Sequence, residues 1–300
     1  MSKNNSPLVS VAVISYNQKQ FLKECIDSIL IQNYNNLEIV IADDGSSDGS
    51  HQMLLNYKND FPDLFVLKLS KKNQGITKNS NAAHFACSGK YIFIMGGDDL
   101  MLPNKISKQV EFMENNPECS VCYHNLDVFD NSSNKTLYLM NNKSNSFEGY
   151  LKEVVSKGVF NGACSTVVRR DKTPVHGYDE RLPIVSDWLY TMETLANGGK
   201  IQYIDEVLGR YRRHDNNVSK NLTKLNGYKD ALNACSILLV NHPVLCKKIL
   251  HRYSEILRGL RIYDDRNYYN HLLASIRVNF NLKSVILLSI YLFSFKTVRK

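Results

Sequence analysis

No stretch of the 300-residue sequence reaches the roughly 18–20 consecutive apolar residues that a membrane-spanning helix needs. The first ten residues, MSKNNSPLVS, are polar and lack the apolar centre of a secretory signal. No GxGxxG follows the first apolar run and no GxxxxGKS/T occurs, so dinucleotide-binding and P-loop readings lose their main support. The seven cysteines are odd in number, scattered and set in apolar surroundings, which argues for reduced thiols and a cytoplasmic chain. Cys119 and Cys122 make a lone CxxC with no second pair, and core cysteine is the better reading than zinc or redox chemistry.

What is present is a globular composition with its charge unevenly placed. The net charge is +8 at pH 7. Residues 221–300 hold 13 Lys/Arg against 4 Asp/Glu, so the last quarter carries essentially all the excess. Such asymmetry points that segment to an anionic partner, nucleic acid or a phospholipid surface.

Over the first 125 residues, β-branched apolar runs alternate with helical patterns. Strands are expected at Leu8–Ser15, Leu37–Ala42, Leu64–Leu69, Tyr91–Met95 and Cys119–His124. Helices are expected over Phe21–Gln32, from Ser47 or Asp48 to Tyr57, over Thr77–Cys87 and over Lys105–Asn115. This order implies an α/β, doubly wound, mostly parallel sheet. The polar segment 130–146 reads as a hairpin or excursion outside the core, 147–220 as mixed, and 224–295 as wholly helical.

In open α/β sheets, ligands bind beyond the carboxyl ends of the strands. Those ends here are Ser15-Tyr16-Asn17, Asp43-Asp44-Gly45-Ser46 and Gly96-Gly97-Asp98-Asp99. A hard cation such as Mg²⁺ or Mn²⁺ takes one or two carboxylates plus phosphate oxygens, so Asp98-Asp99 reads as a half-site that a phosphate-bearing ligand completes. The plainer reading is a polar turn. Asp43 and Asp44 open DDGSSD, where one could cap the next helix and another accept from a base or ribose. Tyr16 could stack on a base or be an ordinary half-buried tyrosine.

In order, the stretches VSVAVISYNQ, SILIQNYNNLEIVIADDGSSDGS, NQGITKNSNAA, GKYIFIMGGDDLMLPNK, NGACSTVVRR, SDW and VLGRYRRHDNNVS resemble family 2 glycosyltransferases of the GT-A fold, bacterial surface-polysaccharide type. The resemblance covers roughly residues 7–220 and leaves out the last 80. It implies a GT-A domain over 1–220, with a nucleotide-sugar-binding half at 1–125, an acceptor and catalytic half at 126–220, and a basic helical region at 221–300. It further implies inverting sugar transfer from a nucleoside diphosphate, expected to be UDP, to an acceptor hydroxyl, with Mn²⁺ or Mg²⁺ as cofactor. Ser15, Tyr16, Asn17, Asp43 and Asp44 match the base and ribose side. Asp98 and Asp99 match the acidic metal motif, His214 a further metal ligand, and Arg212 and Arg213 the segment that closes over the diphosphate. Asp187 matches the catalytic base; Trp188 beside it could desolvate it and offer an apolar face to a sugar. The plainer readings are a helix cap for Asp187 and a basic exposed strand for RYRRH.

Two departures from the family pattern stand out. Gly96 stands where an acid often precedes the pair. Ser80 stands where a basic residue usually precedes the asparagine that Asn81 matches, with Lys78 nearby as a substitute.

At the tail, KSVILLSIYLFSF (283–295) followed by KTVRK is too short to span a bilayer but suits a helix lying in the interface. A helix docked on the catalytic domain with solvated lysines is the plainer reading. No nucleic-acid motif or stacking array accompanies the charge. Peripheral attachment to the inner membrane face, near a lipid-linked glycan acceptor, is therefore expected. The competing readings are a sugar-phosphate nucleotidyltransferase, which would want a glycine-rich basic loop where this chain has SYNQKQF, and a non-catalytic nucleotide-sugar-binding module.

Overall fold

The computed structural model describes residues 6–158, 162–215, 217 and 224–298, with the backbone alone from 294 on. Asn161, Asn216, Val218 and Ser219 of the matching stretches, the expected boundary at 220/221, and Arg299 and Lys300 of the tail lie outside the described residues. The chain divides into two units, Met1–Leu151 with Val159–Asn217 and Lys152–Gly158 with Val218–Lys300.

The first unit is built on one sheet. Strand β1 (Val9–Ser15) pairs in parallel with both β2 (Leu37–Asp43) and β4 (Tyr91–Gly96), and β2 pairs in parallel with β3 (Phe65–Leu69). Covered on both faces, β1 buries Val9, Val11 and Val13 completely, which is why its sequence is apolar without alternation. Helix α1 (Lys19–Leu30) turns Leu22, Cys25, Ile26 and Ile29 into that core at the i, i+3, i+4, i+7 spacing of one helical face. Each such aliphatic side chain contributes about 1.5–3 kcal/mol by leaving water. Helix α2 begins at Ser50, two or three residues later than the Ser47 or Asp48 start expected, and ends at Asp60. Gly49 precedes it at φ 87°, a left-handed conformation that cannot continue a helix backwards, and Asp48 instead accepts from the Ser50 and Lys19 N–H groups.

Helix α3 (Ile76–His84) crosses β1 and β2, and α4 (Lys105–Asn115) follows the short strand β5 (Leu100–Met101). Beyond β4 the sheet is mixed. Strand β8 (Val167–Arg169) runs antiparallel between β4 and β6 (Cys119–Asp130), and β9 (Lys200–Arg213) runs parallel to β6. The full order is β3-β2-β1-β4-β8-β6-β9-β5. Strand β6 extends six residues past the expected His124, and β7 (Thr136–Leu139) folds back on it as a hairpin with all four residues exposed. Helix α5 (Leu151–Val154) is one turn; α6 (Ser186–Ala196) precedes β9. All seven cysteines are free thiols, six of them buried.

Among the described residues the second unit has the α-helices α7 (Lys224–Asn241), α8 (Cys246–Leu260), α9 (Tyr268–Val278) and α10 (Leu282–Val298). Ala234, Cys235 and Leu238 of α7, Ile249, Ile256, Leu257 and Leu260 of α8, and Leu272 of α9 make its core.

Candidate active site

Register brings three strand ends together. Ser15 pairs with Asp43, and Ile14 with Gly96, so the residues following β1, β2 and β4 emerge side by side at one sheet edge. After Gly96 the chain makes a turn in which the Asp99 N–H donates to the Gly96 carbonyl at 3.2 Å. It then enters β5, which pairs antiparallel with β9 through Leu100–Arg210 and Met101–Gly209. That pairing carries Arg212 of β9 back over the acidic turn.

Arg212 is buried and fully engaged by protein groups. Its backbone N–H donates to Asp99 Oδ1 at 3.0 Å and its Nε to the Asp98 carbonyl at 2.7 Å. Nη1 reaches Asn131 Oδ1 at 2.7 Å and Nη2 reaches Glu24 Oε2 at 2.6 Å. The guanidinium also sits between the rings of Phe21 and Phe129, at 4.7 and 5.0 Å. The neighbouring arginines hold the β6–β7 hairpin: Arg210 through Asp127 and Asn134, and Arg213 through the Tyr138 hydroxyl at 3.4 Å. The basic strand expected to close over a diphosphate is thus, at Arg212, a clamp on the acidic pair.

Asp98 and Asp99 differ sharply in setting. Asp98 Oδ2 accepts from His214 Nε2 at 2.9 Å and from Asn217 Nδ2 at 3.3 Å, while Asn217 Oδ1 accepts the His214 backbone N–H at 2.6 Å. His214 in turn packs its ring 4.7 Å from that of Phe21. Asp99 is buried, and that burial, then the Asp98 charge beside it, pushes its carboxyl well above the usual range; the Arg212 backbone N–H, the Cys164 thiol and the Arg212 charge pull the other way.

The glycine before the pair shapes the space above it. A Cβ on Gly96 would stand 2.7 Å from Asp98 Oδ1 and 3.4 Å from Asp99 Oδ2. The absent side chain therefore leaves a cradle bordered by one oxygen of each carboxylate. Among the described residues no group of three or more His, Cys, Asp or Glu side chains is gathered to hold a metal ion. Two carboxylate oxygens around an open cradle nonetheless fit a divalent cation whose other ligands are phosphate oxygens and water. His214, expected as a third ligand, stands at the same turn with its Nε2 2.9 Å from Asp98 Oδ2.

At the β2 end both carboxylates bind protein. Asp43 accepts from the Ser46 N–H and hydroxyl at 2.9 and 2.7 Å and from His51 Nε2 at 2.7 Å. Asp44 accepts from the Gln74 and Gly75 N–H groups at 2.8 and 2.9 Å, pinning the loop before α3. Asn17, at φ 50°, accepts the Ser47 N–H through Oδ1 at 2.8 Å. Ser15 Oγ is buried without a hydrogen-bond partner, and Tyr16 is 45% exposed at the edge, open for stacking.

Helix α3 links this edge to Asp187. Asn79 Nδ2 donates to the Ser15 and Ala42 carbonyls at 3.2 and 3.1 Å. Two residues earlier, Thr77 Oγ1 reaches the Leu182 carbonyl at 2.8 Å and Ser186 Oγ at 3.3 Å. Asp187 follows in the first turn of α6, braced by Tyr190, which stacks on Tyr178 at 4.1 Å and meets His84 Nδ1 at 3.2 Å. The Asp187 side chain is open to solvent, yet protein crowds it from most directions; that desolvation raises its carboxyl pKa, opposed by the Trp188 N–H donating to Oδ1 at 2.7 Å. Trp188 is 7% exposed, so it offers no face to a sugar, contrary to expectation: helical geometry turns it into the core while Asp187 points out. Lys78 pairs with Glu180 at 3.9 Å, not with an acid of the strand ends.

Sequence patterns passed over Glu24, Phe21, Asn131, Asn217, Asn79 and Thr77. Only Asn217 and the two α3 residues lay inside quoted motifs; the others gain meaning through chain reversals no local pattern encodes.

The sequence profile described as glycosyl transferase family 2 matches residues 10–173. The chain belongs to this family. An uncharacterized protein of Mycobacterium tuberculosis is 31% identical over 215 residues, 69% of this chain. This chain spans 59% of the length of that relative. Among solved structures, S. aureus TarS (residues 1–349) in complex with UDP superposes with a TM-score of 0.69 at 15% identity, covering 91% of this chain and 81% of TarS. The mannosyltransferase PcManGT from Pyrobaculum calidifontis, in complex with GDP-Man and Mn²⁺, gives 0.63 at 17% identity, covering 96% and 80%. As a family 2 member with these neighbours, the chain has the GT-A fold, a curled α/β sheet followed by C-terminal helices.

Proposed function

We propose that this chain is an inverting glycosyltransferase that moves a sugar from a nucleoside diphosphate, UDP in the first instance, to an acceptor hydroxyl. The observation carrying the proposal is the Asp98-Asp99 turn at the β4 end, clamped by Arg212 and left open above Gly96. TarS bound to UDP and PcManGT bound to GDP-Man support a nucleotide donor on this fold.

In this reading Tyr16 stacks on the base, and Asp43, Asp44, Ser15 and Asn17 shape the ribose pocket. Asp98 and Asp99 would hold a divalent cation, Mn²⁺ or Mg²⁺, which when bound would supply Lewis-acid neutralisation of diphosphate charge. Arg213 adds positive charge on the diphosphate side, His214 and Arg212 position the two acids, and Lys78 lies on α3 beside the pocket. The acceptor oxygen forms its bond to the anomeric carbon as the bond to the diphosphate breaks, and its proton passes to Asp187. Solvent access with a raised pKa suits a group that must collect a proton and return it to water. The acceptor we propose is a glycan carried on lipid, in cell-surface polysaccharide synthesis, met at the inner membrane face.

Asp187→Asn tests the assignment. Transfer from a UDP-sugar should fall by about 10²–10⁴ while UDP binding is unchanged. Normal turnover by that variant would place the base elsewhere.

A further inference from the structure

Helix α10 packs against α9 along one face. Near its start Ser284 is fully buried, its Oγ 2.9 Å from Ser275 Oγ and its N–H donating to Asn281 Oδ1 at 2.8 Å. Seven residues on, Tyr291 stacks on Tyr268 at 4.7 Å. Ser284 and Tyr291 thus mark the face turned toward α9. The outward positions are Leu282, Ile286, Ile290 and Phe293, at 65, 50, 60 and 71% exposure. Their spacing of four, four and three residues makes one continuous apolar stripe. Phe280, just before the helix, is 74% exposed.

The sequence of this segment carries charge of one sign: from Arg266 to Lys300 it has six Lys/Arg and no Asp or Glu. Arg277 and Lys283 are exposed on either side of the α9–α10 turn. At 17 residues α10 is about 25 Å long, and no described helix is long and apolar enough to cross a membrane.

We infer that the outward face of α10 is a membrane-seating surface, its Leu282–Ile286–Ile290–Phe293 stripe lying in the headgroup–acyl boundary of an anionic bilayer with Arg277 and Lys283 on the lipid phosphates. An exposed apolar face beside the exposed cations Arg277 and Lys283 suits seating on an anionic bilayer surface. A protein partner for the same stripe would have to match uncompensated positive charge at its rim, and nothing in α10 supplies the acids that a second copy of this chain would need. The inference rests on the reading of a membrane-borne acceptor and gives it a surface.

Co-sedimentation of the full chain with vesicles of phosphatidylglycerol and phosphatidylcholine, against phosphatidylcholine alone, tests it. Binding should be at least tenfold stronger to the anionic vesicles and fall as salt is raised. The triple substitution Ile286→Ser, Ile290→Ser and Phe293→Ser should lower partition at least tenfold with melting temperature and monomer elution retained. Arg277→Glu with Lys283→Glu should remove the anionic preference, a second reading independent of the apolar face. Equal partition of wild type and both variants, or a wild-type dimer that the triple variant dissociates, would overturn the inference. No donor is present in this assay, so its failure leaves sugar transfer standing. UDP titration of the same samples tests that reading separately.

Discussion

Arg212 donates from Nε to the Asp98 carbonyl at 2.7 Å, and its own backbone N–H meets the Asp99 carboxylate at 3.0 Å. One residue of β9 therefore fixes both members of the acidic pair, and each of its three guanidinium nitrogens donates to a protein oxygen. Arg212→Lys loses the fork geometry and leaves Glu24 and Asn131 without their partner. The charge is kept, but the lost hydrogen bonds to buried partners cost about 1–3 kcal/mol, so a fall in melting temperature is expected, with metal-dependent UDP affinity reduced at least tenfold. Glu24 is partly exposed, and Glu24→Gln should cost no more than about 1 kcal/mol. Thermal melts and UDP titration of the two variants separate a clamp from a direct phosphate contact, which would spare the melting temperature.

Gly96 offers a complementary test. In Gly96→Ala the new methyl meets the Asp98 carboxylate, not backbone, so that side chain must turn against its His214 and Asn217 bonds. The fold should be retained with a loss of about 1–3 kcal/mol. The cradle, however, is filled. Weaker Mn²⁺-dependent UDP binding, by about tenfold, with a cooperative melt retained is the expected pair of results. Unchanged binding would mean that the oxygens facing Gly96 are not the metal side.

The pH dependence follows from Asp187. Its raised pKa leaves the base protonated over a wider acidic range than an ordinary aspartate, whose pKa is about 3.9. The acidic limb of the kcat/KM profile should therefore lie above that value and rise with pH. The sign for stability is opposite: a carboxylate disfavoured by desolvation in the fold costs stability as pH climbs from its unfolded to its folded pKa. Asp187→Asn should flatten that part of the stability profile while abolishing the rate limb.

A buried cation beneath the site gives a fourth expectation. Lys105 is wholly inaccessible, donates to Gln109 Oε1 at 2.7 Å and lies 2.8 Å from His124 Nε2, and burial lowers its pKa to about 7. His124, buried and beside this ammonium, is held well below its ordinary range and accepts as the neutral ring. Between about pH 7 and the unfolded lysine value near 10.4, the unfolded chain binds the extra proton, so this group adds stability as pH rises, about 1.4 kcal/mol per unit. Lys105→Met removes that slope. Denaturant melts at pH 7 and 9 should show the wild type gaining on the variant; parallel behaviour would mean the ammonium stays charged.

Much of the donor half was legible because its signals are local. A β-branched run, a helical spacing and a strand-end DD each need only a few neighbours, and the order of elements through α4 follows. What failed to show depended on distant returns of the chain. Arg212 reads as a free cation until β9 pairs with β5 and brings it over Asp98. Trp188 reads as a sugar platform until α6 turns it inward. The antiparallel strand β8, three residues wedged between β4 and β6, is too short to carry a periodic pattern. His51, which holds Asp43, lies one residue beyond the DDGSSDGS stretch and meets that acid only because α2 turns back on the β2 end.

The central claim is that the Asp98-Asp99 turn is the metal and diphosphate end of a nucleotide-sugar site. Isothermal titration of UDP into the wild-type chain, with and without Mn²⁺, tests it most directly when repeated on Asp99→Asn. The expected result is UDP binding strengthened at least tenfold by Mn²⁺ in the wild type, with that enhancement lost in Asp99→Asn. Binding that ignores Mn²⁺, or an enhancement that survives the substitution, would contradict the account.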